Sequence, residues 1–158
     1  MQFDFAQTLD YLQSLGKRRL AIGRARLGYE GKGQYPVVVV EPDPLAAESS
    51  PGLLNYDLAF LVLDRERDAQ GQYRPDPEQV PRLLTTTGQW ADELIEQLRR
   101  EYPGDLMKGT YSRVALTDFG TDLATGWRCE LRLQVSQLLD RNANAALFTP
   151  ALPPSSNA

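Results

Sequence analysis

The chain has 158 residues, of which 42% are hydrophobic and 24% are charged, and this composition predicts one globular domain that buries its own core. The formal net charge of -4 gives no overall attraction to nucleic acid or to an anionic membrane. The chain has no histidine and a single cysteine, Cys129, which excludes an internal disulfide and a metal site built from cysteine and histidine.

The N-terminal segment MQFDFAQTLDYLQSL carries acidic residues early and lacks a basic start followed by an apolar run. It therefore does not have the pattern of a secretory signal. Apolar runs such as Val37 to Val40 are far too short to cross a bilayer. We expect a protein made and folded in the cytoplasm, without a membrane partner.

The first element is a predicted short helix. Asp4 can cap it, with Gln7 three residues later in a capping box, and Gly16 gives a stop. The residues that share its apolar face are Phe5, Leu9, Leu12 and Leu15.

Strand patterns follow the first helix. A strand is expected to begin at Leu27 and Tyr29, and the valine run 37–40 predicts a second one that is covered on both faces. Residues 41–52 are rich in proline and serine and predict an exposed loop. Asn55 to Glu66 predicts a long strand, with even-numbered residues 56–62 on one face and odd-numbered residues 57–63 on the other. The polar segment that follows predicts a loop.

The clearest helical pattern runs from about Pro81 to Tyr102, with a looser turn before it. A hairpin follows, with strands at Arg113 to Phe119 and at Trp127 to Gln137 joined by residues 120–126. Apolar and polar residues alternate in its second strand, which predicts one face on the core and one in water.

These elements predict an α+β fold, with a mixed, mostly antiparallel sheet that carries one long helix and a short N-terminal helix on one face. We expect residues 1–149 to form a single domain and residues 150–158 to form a flexible proline-rich tail.

The usual residue combinations for catalysis are missing. A serine or cysteine nucleophile has no histidine as its base, and Cys129 alternates with core residues, which favours a buried structural role. GYEGKG lacks the spacing and the hydroxyl residue of a phosphate loop. The acidic run at 64, 66 and 68 lacks the glycine and the final carboxylate of a calcium loop. Asp118 and Asp122 stay open as an acid–base pair, although acidic residues beside a hairpin turn are common. We predict no catalytic, cofactor-binding or metal-binding residues, and hence no enzyme.

One local feature could bind a partner. Five basic residues lie within ten positions, and they are Lys17, Arg18, Arg19, Arg24 and Arg26. They form either a solvated face beside an acidic one or a contact for an acidic protein surface or for passing nucleic acid. The cluster has no interleaved aromatic residues for base stacking, so contact with DNA phosphates would be weak and non-specific.

The order of elements, together with NYDLAFLVLDRE, TTTGQWADELIEQLRREY and DFGTDLATGWRCELRLQVSQLLDR, resembles the small tail-terminator or tail-completion proteins of tailed phages and prophages. The resemblance covers about residues 3–149 and includes a final hairpin with a Gly-Trp step. It implies a ring of identical subunits, commonly a hexamer, that caps the tail tube, stops its polymerisation and joins it to the neck and head of the virion. Partners would be further copies of the chain, the tube protein and the connector proteins, and the basic cluster could face the tube or the DNA path.

Two alternatives come from other classes. The first is a cytoplasmic adaptor or chaperone-like module with one protein client. The second, which ranks below it, is an enzyme. A ring-former should run at several times the monomer mass of 17.7 kDa, whereas an adaptor should stay monomeric.

Overall fold

The computed structural model describes residues 4–43, 46–50, 53–74, 76–101, 111–136 and 146–150. Two α-helices and a six-stranded sheet account for most of these residues. In chain order the elements are α1 (Phe5–Arg18), β1 (Ala25–Leu27), β2 (Val37–Val40), β3 (Ala46–Ser50), β4 (Leu53–Asp64), a short 3-10 turn (Pro77–Gln79), α2 (Val80–Glu101), β5 (Ser112–Phe119) and β6 (Ala124–Ser136).

The strand order is β1-β2-β4-β6-β5, and β3 also pairs with β4. β1 and β2 run parallel, and every other pair of strands is antiparallel. β6 lies along the whole of one edge of β4, from the Leu53–Ser136 pair to the Asp64–Thr125 pair. β2 and β3 therefore share the other edge of β4, one after the other. The α+β class and the mostly antiparallel sheet are confirmed.

Both helices pack on the same face of the sheet. The apolar stripes of α1 and α2 meet one side of β2, β4 and β6, and burial of each such side chain contributes about 1.5–3 kcal/mol. Buried members of this helix-side core include Leu9, Leu12, Leu15, Val38, Leu58, Phe60, Val62, Leu94, Leu98, Cys129 and Leu133. The even-numbered residues of β4 belong to it, so the predicted phase of that strand is confirmed.

A smaller apolar core lies on the opposite face of the sheet. Its buried members are Tyr35, Val37, Val39, Leu61, Leu63 and Ala124, with Tyr29, Tyr73, Leu116 and Phe119 packed around them. The valine run is buried on both faces, as the sequence predicts. The side of the sheet that the last strand is predicted to leave in water is covered at the end that holds Leu61 and Leu63, because side chains from the connections after β1 and β4 fold back over it.

The predicted helix stop at Gly16 is wrong. α1 continues to Arg18, and Gly16 is buried where the helix passes over β2. A Cβ atom at this position would lie 2.7 Å from the Cβ of Val38. The glycine therefore permits close helix–strand packing instead of ending the helix.

The predicted loop at 41–52 is also wrong in part, because Ala46–Ser50 forms β3 and pairs with β4. Polar and small residues form a strand here because β4 offers a row of backbone partners, a contact that local sequence does not encode. Other boundaries move by a few residues: the strand expected at Leu27 and Tyr29 is Ala25–Leu27, and the long strand is Leu53–Asp64. Tyr102, Gln137 and residues 151–158 of the predicted tail lie outside the described residues.

Candidate functional site

The basic cluster divides into two parts in the structure, and the first part joins the helices. The guanidinium of Arg18 donates two hydrogen bonds to the carboxylate of Glu101, at 3.0 and 2.6 Å. Arg19 donates through Nε to Glu93 at 2.7 Å. The bond from Arg18, followed by one from Tyr11, lowers the pKa of Glu101 to about 2. These two arginines tie the end of α1 to the exposed side of α2.

The second part of the cluster holds loops. Arg24 donates to the backbone carbonyl of Tyr35 at 3.2 Å, and Arg26 pairs with Glu30 at 2.8 Å. Lys17 is exposed on the last turn of α1. The five basic residues therefore do not form one continuous free patch, since three of the four arginines face a glutamate partner.

Asp122 anchors a loop instead of facing Asp118. Its carboxylate accepts hydrogen bonds from the backbone N–H of Lys32 at 2.7 Å, from that of Gly33 at 2.9 Å and from the hydroxyl of Tyr35 at 2.5 Å. Burial raises the pKa of Asp122, but the three hydrogen bonds together with the charge of Arg65 lower it further, so the net shift is downward. Asp118 is exposed with φ at 50°. Asp122 thus holds the loop after β1 against the turn between β5 and β6.

We predict that Asp122→Asn destabilises the protein by about 1–2 kcal/mol at neutral pH, because the neutral amide replaces charge-assisted bonds. The pKa of Asp122 is lower in the folded state, so its stabilising effect is present above the unfolded pKa of about 3.9 and is lost as pH falls through the folded pKa. Urea unfolding from pH 7 to pH 3 should therefore show less acid destabilisation in the variant than in the wild type. Parallel curves would contradict this assignment.

Cys129 and Asp68, which the sequence does not favour as a nucleophile and a calcium ligand, have structural roles. Cys129 is fully buried, and burial raises the pKa of its thiol to about 12, so it is protonated and shielded at neutral pH. Asp68 accepts hydrogen bonds from the backbone N–H groups of Gln70 and Gln72 and pairs with Arg74 at 2.9 Å, which shapes the loop after β4. Within the described ranges, no group of three or more ligand-type side chains could hold a metal ion.

β5 is one of the edge strands of the sheet. This strand pairs with β6 on one side, and no strand among the described residues pairs with its other side. Six of its eight side chains are exposed, and the largest exposed apolar one is Val114, at 57% of its full accessible area. A shift of register between Leu116 and Phe119 ends the regular pairing with β6. The sequence predicts the strand, but only the sheet order makes it an edge strand.

Beyond the smaller core, the sheet face away from the helices carries paired charges. Arg128 bonds both carboxylate oxygens of Glu41 at 2.9 Å and also pairs with Glu130. Arg132 bonds both oxygens of Asp57, at 2.5 and 3.0 Å. These bidentate contacts form a flat, charged surface whose side chains are about one-quarter to two-fifths exposed. The alternation in the last strand predicts this polar face. It does not predict that Arg128 bonds Glu41 or that Arg132 bonds Asp57, because those carboxylates come from distant segments of the chain.

Comparison with models of known protein families gives no match. Comparison with curated proteins gives no match either. Of the helices in the described part of the chain, none combines the length and apolar character that a bilayer span requires.

Proposed function

We propose that this protein is a structural subunit of a phage or prophage tail, of the tail-terminator or tail-completion type. Identical copies form a ring, commonly of six, that caps the tail tube at the virion neck and joins it to the connector proteins. The exposed edge of β5 is the observation that carries the proposal. The resemblance of the element order and of the Gly126-Trp127 step supports it.

The β5 edge suits assembly because an unpaired strand offers N–H and C=O groups to a strand of another chain. Monomeric proteins usually protect such edges with inward-pointing charges, proline or a covering segment. Arg113 and the register shift after Leu116 give β5 part of this protection. Its regularly paired part also carries the exposed Val114, however, and the charged face formed by Arg128 and Arg132 continues beside it. Together these features make an extended surface that a neighbouring subunit could cover.

The test is a charge at the centre of the edge. The wild-type protein is expected to sediment at several times 17.7 kDa at high concentration, or in the presence of tube protein. Val114→Lys should reduce the assembled fraction at least about tenfold, because a buried unpaired ammonium group opposes association by more than about 1.4 kcal/mol. Sedimentation velocity over a range of concentrations measures the effect.

Thr85→Lys is the control, since Thr85 is exposed on α2, which packs on the opposite face of the sheet from Val114. It should assemble like the wild type. A wild-type protein that stays monomeric at all concentrations and does not bind tube ends would contradict the ring and favour an adaptor with one protein client. Equal loss of assembly in both variants would exclude β5 as the contact.

A further inference from the structure

A pocket of about 290 Å³ lies between α1 and α2. Leu15 and Leu94 provide its apolar side chains, and Arg18, Arg19, Glu93 and Gln97 provide its polar ones. The same two leucines also line a small apolar void of about 10 Å³ beside Val38 and Phe60. The pocket is thus an apolar cleft above the helix-side core, with charged groups around it.

Arg19 differs from Arg18, the other arginine of this pocket, in the partners of its guanidinium. Its Nε is held by Glu93 at 2.7 Å, which fixes the guanidinium while its side chain is 34% exposed. In the part of the chain that the structure describes, neither of its two Nη groups has an acceptor. Arg18 differs, because both of its Nη groups bond Glu101. A fixed guanidinium with two free Nη groups is preorganised for bidentate contact with a carboxylate.

We propose that this pocket binds a carboxylate carried on a short aliphatic group. Arg19 would bind the carboxylate, and the aliphatic group would replace water against Leu15 and Leu94. Arg18 and Arg19 each have a glutamate partner, so the recognition rests on the directional Nη donors of Arg19 and not on an excess of positive charge. The mixture of apolar surface and a few placed polar groups is typical of small-ligand sites. The proposal does not depend on assembly through β5, which lies at the edge of the sheet.

The carboxylate could belong to a free acid or to the C-terminal residue of another chain, so two probes are used. Hexanoate represents the free acid, and N-acetyl-leucine represents the peptide terminus. Titration followed by ¹H–¹⁵N NMR should give saturable shifts at Leu15, Arg19 and Leu94 with at least one probe, and the tighter probe identifies the source. Hexan-1-ol and acetate, which each lack one half of the proposed ligand, should bind at least about tenfold more weakly.

Variants separate charge from geometry. Arg19→Gln should weaken binding about tenfold, and Arg19→Lys should lie between it and the wild type, because lysine keeps the charge without the planar pair of donors. Arg26→Gln removes an arginine of the same cluster outside the pocket and should bind like the wild type. Absence of saturable shifts with both acids, or equal binding of hexan-1-ol and hexanoate by the wild type, would overturn the proposal without bearing on ring formation.

Discussion

Gly126→Ala is expected to destabilise the protein by about 3 kcal/mol or more and could prevent folding altogether. Gly126 lies in β6 directly opposite Leu63 of β4, in the middle of the sheet. A Cβ atom there would overlap the carbonyl oxygen of Val62 and come within 2.9 Å of its carbonyl carbon and 3.0 Å of the Cα of Leu63. The obstacle is the backbone of a central strand, which cannot move aside as a flexible side chain can.

Gly71→Ala is the control for this variant. Gly71 has φ at 79° and no atom within 4 Å of the added Cβ, so alanine meets backbone strain there without a steric clash. Its cost should be about 1–2 kcal/mol. Urea denaturation of both variants gives the comparison. If Gly126→Ala proves no more destabilising than Gly71→Ala, the close approach of β4 and β6 is not essential.

Trp127→Ala is expected to cost about 3 kcal/mol, because a large side chain packed against the helix-side core is removed. Its indole N–H donates to the backbone carbonyl of Leu84 at 2.7 Å. The guanidinium of Arg113 lies 4.6 Å from the ring. Through these contacts the tryptophan connects α2 to β6 and, by way of Arg113, to the edge strand β5.

Trp127→Phe separates packing from hydrogen bonding. Phenylalanine keeps most of the buried ring and loses the bond to Leu84, so about 1 kcal/mol should be lost. Thermal unfolding of both variants measures the difference. An unchanged melting temperature for Trp127→Ala would mean that the ring does not support the core. Loss of assembly without loss of stability would instead place it at a subunit contact.

Much of the fold could be predicted because periodicity reports burial directly. The apolar residues of α2 recur at the helical period, and those on each face of β4 recur at every second position. Both sets lie in the cores that these patterns indicate. The errors lie where a tertiary contact overrides a local preference. Gly16 stays helical because β2 passes close to it, and Ala46–Ser50 becomes a strand because β4 lies alongside.

In the candidate sites, too, the local sequence identifies the residues but not the partners that they contact in the fold. The sequence identifies Arg18 and Arg19 as part of a basic cluster, but their acidic partners lie 83 and 74 positions away. Tyr35, which donates to Asp122, is 87 positions from it. No local pattern contains these pairs, because they form only when the chain brings distant segments together.

By itself, the sequence determined the class of fold, the two helices and the long central strand with its two apolar faces. It also showed that the chain has no histidine, which a nucleophile–histidine pair or a histidine metal site would need. These properties depend on side-chain chemistry and on spacing within a single element. Only the tertiary structure decided that β5 is an edge strand, that Asp122 anchors a loop, and that Arg19 lies beside an apolar pocket. Each of these depends on which elements become neighbours, and that is set by the packing of the whole sheet and its helices.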